Sequence, residues 1–369
     1  MKNISSFRLA LVFAGSFLGA GYVSGQELFQ YFGCYGKKGF IGFFITAVLL
    51  FLFGSLILVL TRKSGIYEAD TIVCPWNNKP IRSIVATLEM VFLFAVISIM
   101  VSGVGSLVHD FFKVPEFLGS AVFCAVLFLC SFKDIKGFIS AFSVSVPLLC
   151  ITVIIICAVT LIKGGFPEIT GETVNKNSLL GGFLVSSVNF SCYNTFACIA
   201  IIAPLGKIIG SNKTVFKGLS LGAVIASAVA VCVLLTLFSY KGSENSELPM
   251  LYVCGETGFS VKCIYGILLF LAMFGTSLSS FVSVVNFFRI KSPVINGNKK
   301  LFAFVLTVLI FLASLVGFGE LIGFVYPLFG YACAVFVVMM AVHLIKLTKS
   351  EKSKSRKTPE KDEESAVRN

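Results

Sequence analysis

Charge is scarce in this chain. Asp, Glu, Lys and Arg make up 13% of its 369 residues, against a hydrophobic share of 57% and a mean hydropathy of +0.94. Soluble domains run near one quarter charged, so this composition excludes an ordinary water-soluble globule and specifies an integral membrane protein. Histidine is almost absent: His109 and His343 are the only two, and they form no cluster. The twelve cysteines lie mostly inside apolar runs at no metal-ligand spacing and read as small buried hydrophobes. Cys34 and Cys254 fall on the same side of the membrane and are the pair placed to bridge. The sequence has no Walker A motif, no metal-ligand set and no nucleophile beside a positioned base, so no enzyme is expected. It also lacks an extended polar linker. Residues 1–347 are therefore expected to form one membrane domain, followed by a charged tail over 348–369.

What fills the chain instead is a series of apolar runs, at about residues 9–32, 39–60, 83–107, 117–132, 138–162, 179–205, 215–239, 259–288, 301–318 and 321–345. Most can cross a hydrocarbon core of about 30 Å at 1.5 Å per residue, although the fourth and ninth are short. Ten helices are expected, giving an all-α polytopic protein. The first run is too long for a signal peptide and reads as part of the mature protein. The net charge of +12 is not a nucleic-acid footprint, because the cations are sorted by loop. An amino terminus in the cytoplasm puts Arg8, Arg62, Lys63, Lys207, Arg289, Lys299 and the basic tail inside. Lys37, Lys38, Lys113, Lys163, Lys176, Lys241 and Lys262 then lie outside. The positive-inside rule places both termini in the cytoplasm, which ten spans satisfy. The tail is Lys, Ser and Glu with no apolar face. It is expected to be disordered, with its basic half able to touch anionic membrane lipid.

The first run carries Gly15, Gly19, Gly21 and Gly25. Each glycine costs a helix interior about 1 kcal/mol relative to alanine, so local unwinding is expected. Unpaired main-chain groups cannot face lipid, so an unwound stretch must sit inside the protein against a ligand, an ion or water. The alternative is a small-xxx-small packing face, which Gly15/Gly19 and Gly21/Gly25 also fit. In the sixth run, Ser186 to Thr195 is the most polar stretch within any span and reads as a second break. The alternative there is interhelical hydrogen bonding by Asn189 and Asn194. Five helices repeated as five in inverted topology (about residues 5–162 and 178–347) would make these runs counterparts, and matched interruptions point to a transport site. The eighth run holds Thr276, Ser277, Ser279 and Ser280, four hydroxyls in five positions. They suit a small hard cation such as Na⁺, the only cofactor the sequence suggests. They also suit hydroxyls bonding back to carbonyls one turn earlier.

Gly15-x-x-x-Gly19-x-Gly21 in the first helix, a polar sixth and adjacent hydroxyls in the eighth resemble the LeuT fold of the amino acid–polyamine–organocation superfamily. More narrowly, Gly19-Ala20-Gly21-Tyr22-Val23-Ser24-Gly25-Gln26-Glu27 and Tyr326-Pro327-Leu328-Phe329-Gly330-Tyr331 resemble the YkvI family of bacterial membrane proteins. The resemblance covers essentially residues 5 to 347 and implies a bacterial plasma-membrane location. It implies that the amides of Gly19, Ala20, Gly21 and Tyr22, with Ser24, bind an anionic substrate group. Asn189, Ser191, Tyr193 and Asn194 would form the opposite wall. It also sets the carbonyls of Gly15 and Leu18 opposite Ser279 and Ser280 as a sodium site, with Thr276 and Ser277 a second choice. The sequence departs from sodium carriers in two carboxylates, Glu27 in the first span and Glu89 in the third. A charge at the bilayer centre costs about 2.5–3.5 kcal/mol on insertion scales, so both are candidates for proton coupling.

The expected function is secondary transport of an amino acid or related small zwitterion, coupled to Na⁺ or H⁺. The competing expectation is a membrane receptor on the same scaffold, resembling germinant-receptor subunits, that senses a ligand without moving it. An ion channel is less suited, since no ring of repeated carbonyls or charges is present.

Overall fold

The computed structural model describes residues 4–74, 78–132, 145–169 and 177–366, nearly all of them helical. The first segment is three short helices, α1 (Ser6–Phe17), α2 (Ala20–Ser24) and α3 (Gln26–Tyr31). The break lies where the glycines put it. Leu18 leaves the helix at φ −74°, ψ 57° and Gly19 is extended at φ −77°, ψ 175°. The Gly19 amide turns back to the Phe17 carbonyl at 2.7 Å instead of continuing the α-helical ladder. Gly25 then bends the chain again at φ +88°, a left-handed conformation that favours glycine.

The chain continues as α4 (Lys37–Ser64), α5 (Ala69–Val73), α6 (Lys79–Phe112), α7 (Glu116–Cys130), α8 (Ser145–Gly164), α9 (Phe183–Ile202) and α10 (Asn212–Ser239). It ends with α11 (Pro249–Thr257), α12 (Phe259–Lys291), α13 (Pro293–Gly297), α14 (Lys299–Ser314) and α15 (Phe318–Ala366). Among the described residues, seven helices are long and apolar enough to cross a membrane by length and composition: α4, α6, α8, α9, α10, α12 and α15. The other three apolar runs appear as the interrupted first segment and two shorter helices, α7 of 15 residues and α14 of 16. The start of the fifth run, residues 138–144, lies outside the described residues, as does Lys176.

One expectation is corrected. The sixth run is not broken at its polar centre: α9 is continuous through Ser186–Thr195 and gives way only to a 3₁₀ turn at Ala203–Ile208, where Pro204 sits. The polar groups explain it. Ser187, Ser191 and Thr195 donate to the carbonyls of Phe183, Ser187 and Ser191 at 2.6–2.7 Å, and Asn194 donates to Phe190 at 3.0 Å. Each is satisfied one turn back on its own helix, so no main-chain bond need open. The backbone of α15 runs on to Ala366, and Lys, Glu and Arg are themselves good helix formers.

Packing brings the two halves of the chain together. α1 lies along α10, α9 lies between α4 and α15, and α6 packs on α7 and α12. The α1–α10 seam is close because Gly218 and Gly222 face it: a Cβ at either would meet Leu9, Phe13 or the Ala10 carbonyl within 2.9 Å. The small-residue face is therefore real, but α10 carries it. All twelve cysteines are free thiols, Cys34 and Cys254 included.

Candidate functional site

Beyond the break, α3 opens with Gln26 and Glu27, and Glu27 is only 5% exposed. Tyr193 of α9 donates its hydroxyl to Glu27 Oε1, and the Asn194 side chain lies beside it. The other oxygen faces the broken helix: a Cβ built on Gly21 would stand 2.9 Å from Glu27 Oε2. No described lysine, arginine or histidine pairs with this carboxylate.

Aromatic rings enclose it. Tyr193 stacks on Tyr326 of α15 with centroids 4.8 Å apart, and Tyr31 stands 5.8 Å from Tyr193. Phe190 makes edge contacts with Tyr31 and Tyr193. Asn189 fixes this wall. Its Oδ1 accepts from the Tyr31 hydroxyl at 3.0 Å while its Nδ2 donates to the Pro327 carbonyl at 2.8 Å. Pro327 has no amide to offer the Gly323 carbonyl one turn earlier, and Asn177 Nδ2 fills that place at 2.7 Å. Asn189 can lie against α15 only because residue 330 is glycine, since a Cβ there would run into its side chain. Gly330→Val is expected to cost about 1–3 kcal/mol of stability through overpacking. Thermal melting of the purified protein checks this, and an unchanged midpoint would mean that Asn189 has room to turn.

The structure brings together Gly21, Glu27, Tyr193 and Asn194 from the residues singled out in the sequence. Tyr22 and Ser24 point elsewhere: the Tyr22 hydroxyl donates to the Ala226 carbonyl at 2.8 Å, and Ser24 bonds back to Gly21 at 2.8 Å. Ser191 faces its own helix, Ala20 is buried and Gly19 is partly accessible. The proposed ion ligands sit on helices that share no extensive contact. Gly15 is exposed with open space on its flank and Leu18 is buried. On α12, Ser277 and Ser280 are buried while Thr276 and Ser279 are partly accessible. Ser277 donates to Met273 at 2.7 Å and Ser279 to Thr276 at 3.0 Å.

Cavities flank the buried carboxylate at opposite ends of the bundle. Toward the basic end, one of about 590 Å³ is lined by Lys79, Arg82, Glu89, Ala200 and Lys291, which places Glu89 well away from Glu27. At the acidic end, one of about 840 Å³ is lined by Gln26, Gln30, Glu244, Glu247 and Glu320. Sequence reasoning missed Tyr31, Tyr326 and these acidic-end residues. The tyrosine-proline pair inside an apolar run was the available signal for Tyr326.

No protein-family model matches the chain. It is similar to the uncharacterized membrane protein YkvI of Bacillus subtilis (strain 168), with 24% identity over 333 residues covering 90% of this chain and 94% of that one. It is equally similar to the uncharacterized protein YyaD of the same organism, at 24% identity over 343 residues, 91% of this chain and 96% of the other. Among solved structures, the inward-facing conformation of Mhp1 matches with a TM-score of 0.63 at 15% identity, over 92% of this chain and 76% of that one. The chain therefore has the fold of Mhp1, in keeping with the LeuT-fold resemblance of its sequence.

Proposed function

We propose that the protein is a secondary carrier of an amino acid or a related small zwitterion, driven by Na⁺ or H⁺. Access alternates around a midplane site between the interrupted first segment, α9 and α12. Ten crossings, related as five and five in inverted topology, put both termini and the basic cavity in the cytoplasm. The observation that carries the reading is the interruption at Leu18–Gly19, followed within one short helix by a buried carboxylate with no cation partner among the described residues. A structural bundle gains nothing from a bare charge at that depth, where a carrier needs a group that exchanges partners. Proton coupling would fall to Glu27, with Glu89 on the way to the cytoplasm. Sodium coupling would fall to Gly15 and Leu18 closing on Thr276, Ser277, Ser279 and Ser280.

The test is a ligand-stability screen of the purified protein against amino acids, with and without Na⁺, followed by counterflow of each stabilising solute in proteoliposomes. A carrier gives saturable counterflow. Stabilisation with no movement of the solute would make the protein a sensor on this scaffold.

A further inference from the structure

We propose that Cys157 and Cys232 are a reversible redox pair, and that their disulfide pins α8 to α10 and stops the carrier. The regulatory half of this rests on the carrier reading above, whereas the covalent half stands without it.

α8 and α10 pack against each other, and α9 crosses back between them in the chain, so the two run the same way. Their cysteines sit at one depth. Cys157 lies about two turns before the end of α8 at Gly164, and Cys232 about two turns before the end of α10 at Ser239. Both are free thiols, in hydrogen-bonding contact with each other across the seam. Thr236, one turn beyond Cys232, reaches the same Cys157 thiol. The Thr236 hydroxyl donates to the Cys232 carbonyl at 2.7 Å, which leaves its lone pairs for Cys157. Cys157 is 3% exposed and Thr236 is fully enclosed, while Cys232 is partly accessible.

Packing alone explains a cysteine in a helix seam, as a small apolar side chain. Other cysteines here fit that account: Cys34 and Cys198 turn their thiols to nearby carbonyls at 3.2 and 3.1 Å. It does not explain two thiols that face each other from separate helices. A disulfide spans Cα atoms about 4.4–6.8 Å apart, so it can join only elements already packed together, as these two are.

The oxidant would be a peroxide. The partly accessible Cys232 sulfur attacks a peroxide oxygen, the O–O bond breaks, and a sulfenic acid and one water result. The Cys157 sulfur then displaces the hydroxyl group from Cys232 as a second water, and the S–S bond forms. Two thiols have lost two electrons and two protons, and one hydrogen peroxide has become two waters. An added dithiol reverses the step by exchange and leaves as its own disulfide.

The place of the bond gives it effect. α1, α4, α9 and α10 pack on one another, and α6, α7, α12 and α14 form a second group. α8 lies between them, against α10 of the first and α12 of the second, and it also touches α2 just after the helix break. If one group rocks against the other, α8 must shift against at least one of them. Noncovalent seams can slip, and a covalent link to α10 removes that freedom on one side.

The experiment treats the full-length protein with hydrogen peroxide and then with dithiothreitol. Peptide mass mapping is expected to find Cys157 joined to Cys232, and the melting midpoint should rise because the bond closes a long loop. Counterflow of a labelled amino-acid mixture in proteoliposomes should fall about tenfold, since the conformational step is what the bond blocks. Dithiothreitol should restore all three readings. Cys157→Ser and Cys232→Ser, each close to cysteine in size, should keep counterflow and lose its response to peroxide. Absence of a bond between these two residues overturns the inference. A bond that leaves counterflow at its reduced-state rate overturns the lock. A bond with a raised midpoint, in a protein that moves no amino acid even when reduced, upholds the pair and overturns the carrier.

Discussion

Glutamine in place of Glu27 is expected to reduce solute binding and movement about 10- to 100-fold while thermal stability holds or rises. A hydrogen bond to a charged group contributes about 1.5–3 kcal/mol, which is that range in affinity. The fold does not need the charge. Glutamine has the same shape, and its carbonyl can still accept from the Tyr193 hydroxyl. What is lost is a carboxylate held among tyrosines with no described cation beside it, and removing a charge from that depth relieves a cost of about 2.5–3.5 kcal/mol. Opposite signs for stability and function mark a group kept for its work. A falling melting point with counterflow intact would make Glu27 a structural acceptor. Tyr193→Phe should fall between the two, because the Asn194 side chain still lies beside the carboxylate. The measurements are melting of purified variants and counterflow of the solute that stabilises the native protein.

The sequence made some of this legible and hid the rest for physical reasons. The break at Gly19 could be read because glycine acts on its own backbone, with no distant partner needed. The sixth run misled because polarity alone does not open a helix. Ser187, Ser191 and Thr195 are spaced to bond one turn back, and that local option won. Glu27 stood out as a charge in an apolar run, but its partner Tyr193 is 166 positions away. The stacking of Tyr193 on Tyr326 spans the chain in the same way. Contacts of that range depend on how α3, α9 and α15 meet. The small-residue seam went to Gly218 and Gly222 because Leu9 and Phe13 on α1 needed a flat surface opposite them. Gln26 and Gln30 read as ordinary polar residues at a span end. Only the fold shows that their side-chain oxygens are buried and find no donor among the described residues.

Gly21 gives the sharpest test of whether the broken helix and the carboxylate act as one device. A Cβ at this position stands 2.9 Å from Glu27 Oε2, with Ile322 Cδ1 and the Tyr326 hydroxyl each at 3.8 Å. The main chain is not in the way, so α2 can accept alanine at little local cost. The carboxylate must instead swing aside, loosening its bond to Tyr193. Gly21→Ala should therefore weaken solute binding several-fold. Gly21→Val, whose two further methyls press toward Ile322 and Tyr326, should abolish movement while expression persists. If the damage runs through the carboxylate, Gly21→Ala should lower the melting point in the native background and much less alongside Glu27→Ala, where the obstructing group is gone. Contacting residues commonly couple by about 0.5–3 kcal/mol, within reach of such a cycle. Equal losses in both backgrounds would put the collision on Ile322 instead, and Glu27 would then lose its tie to the helix break.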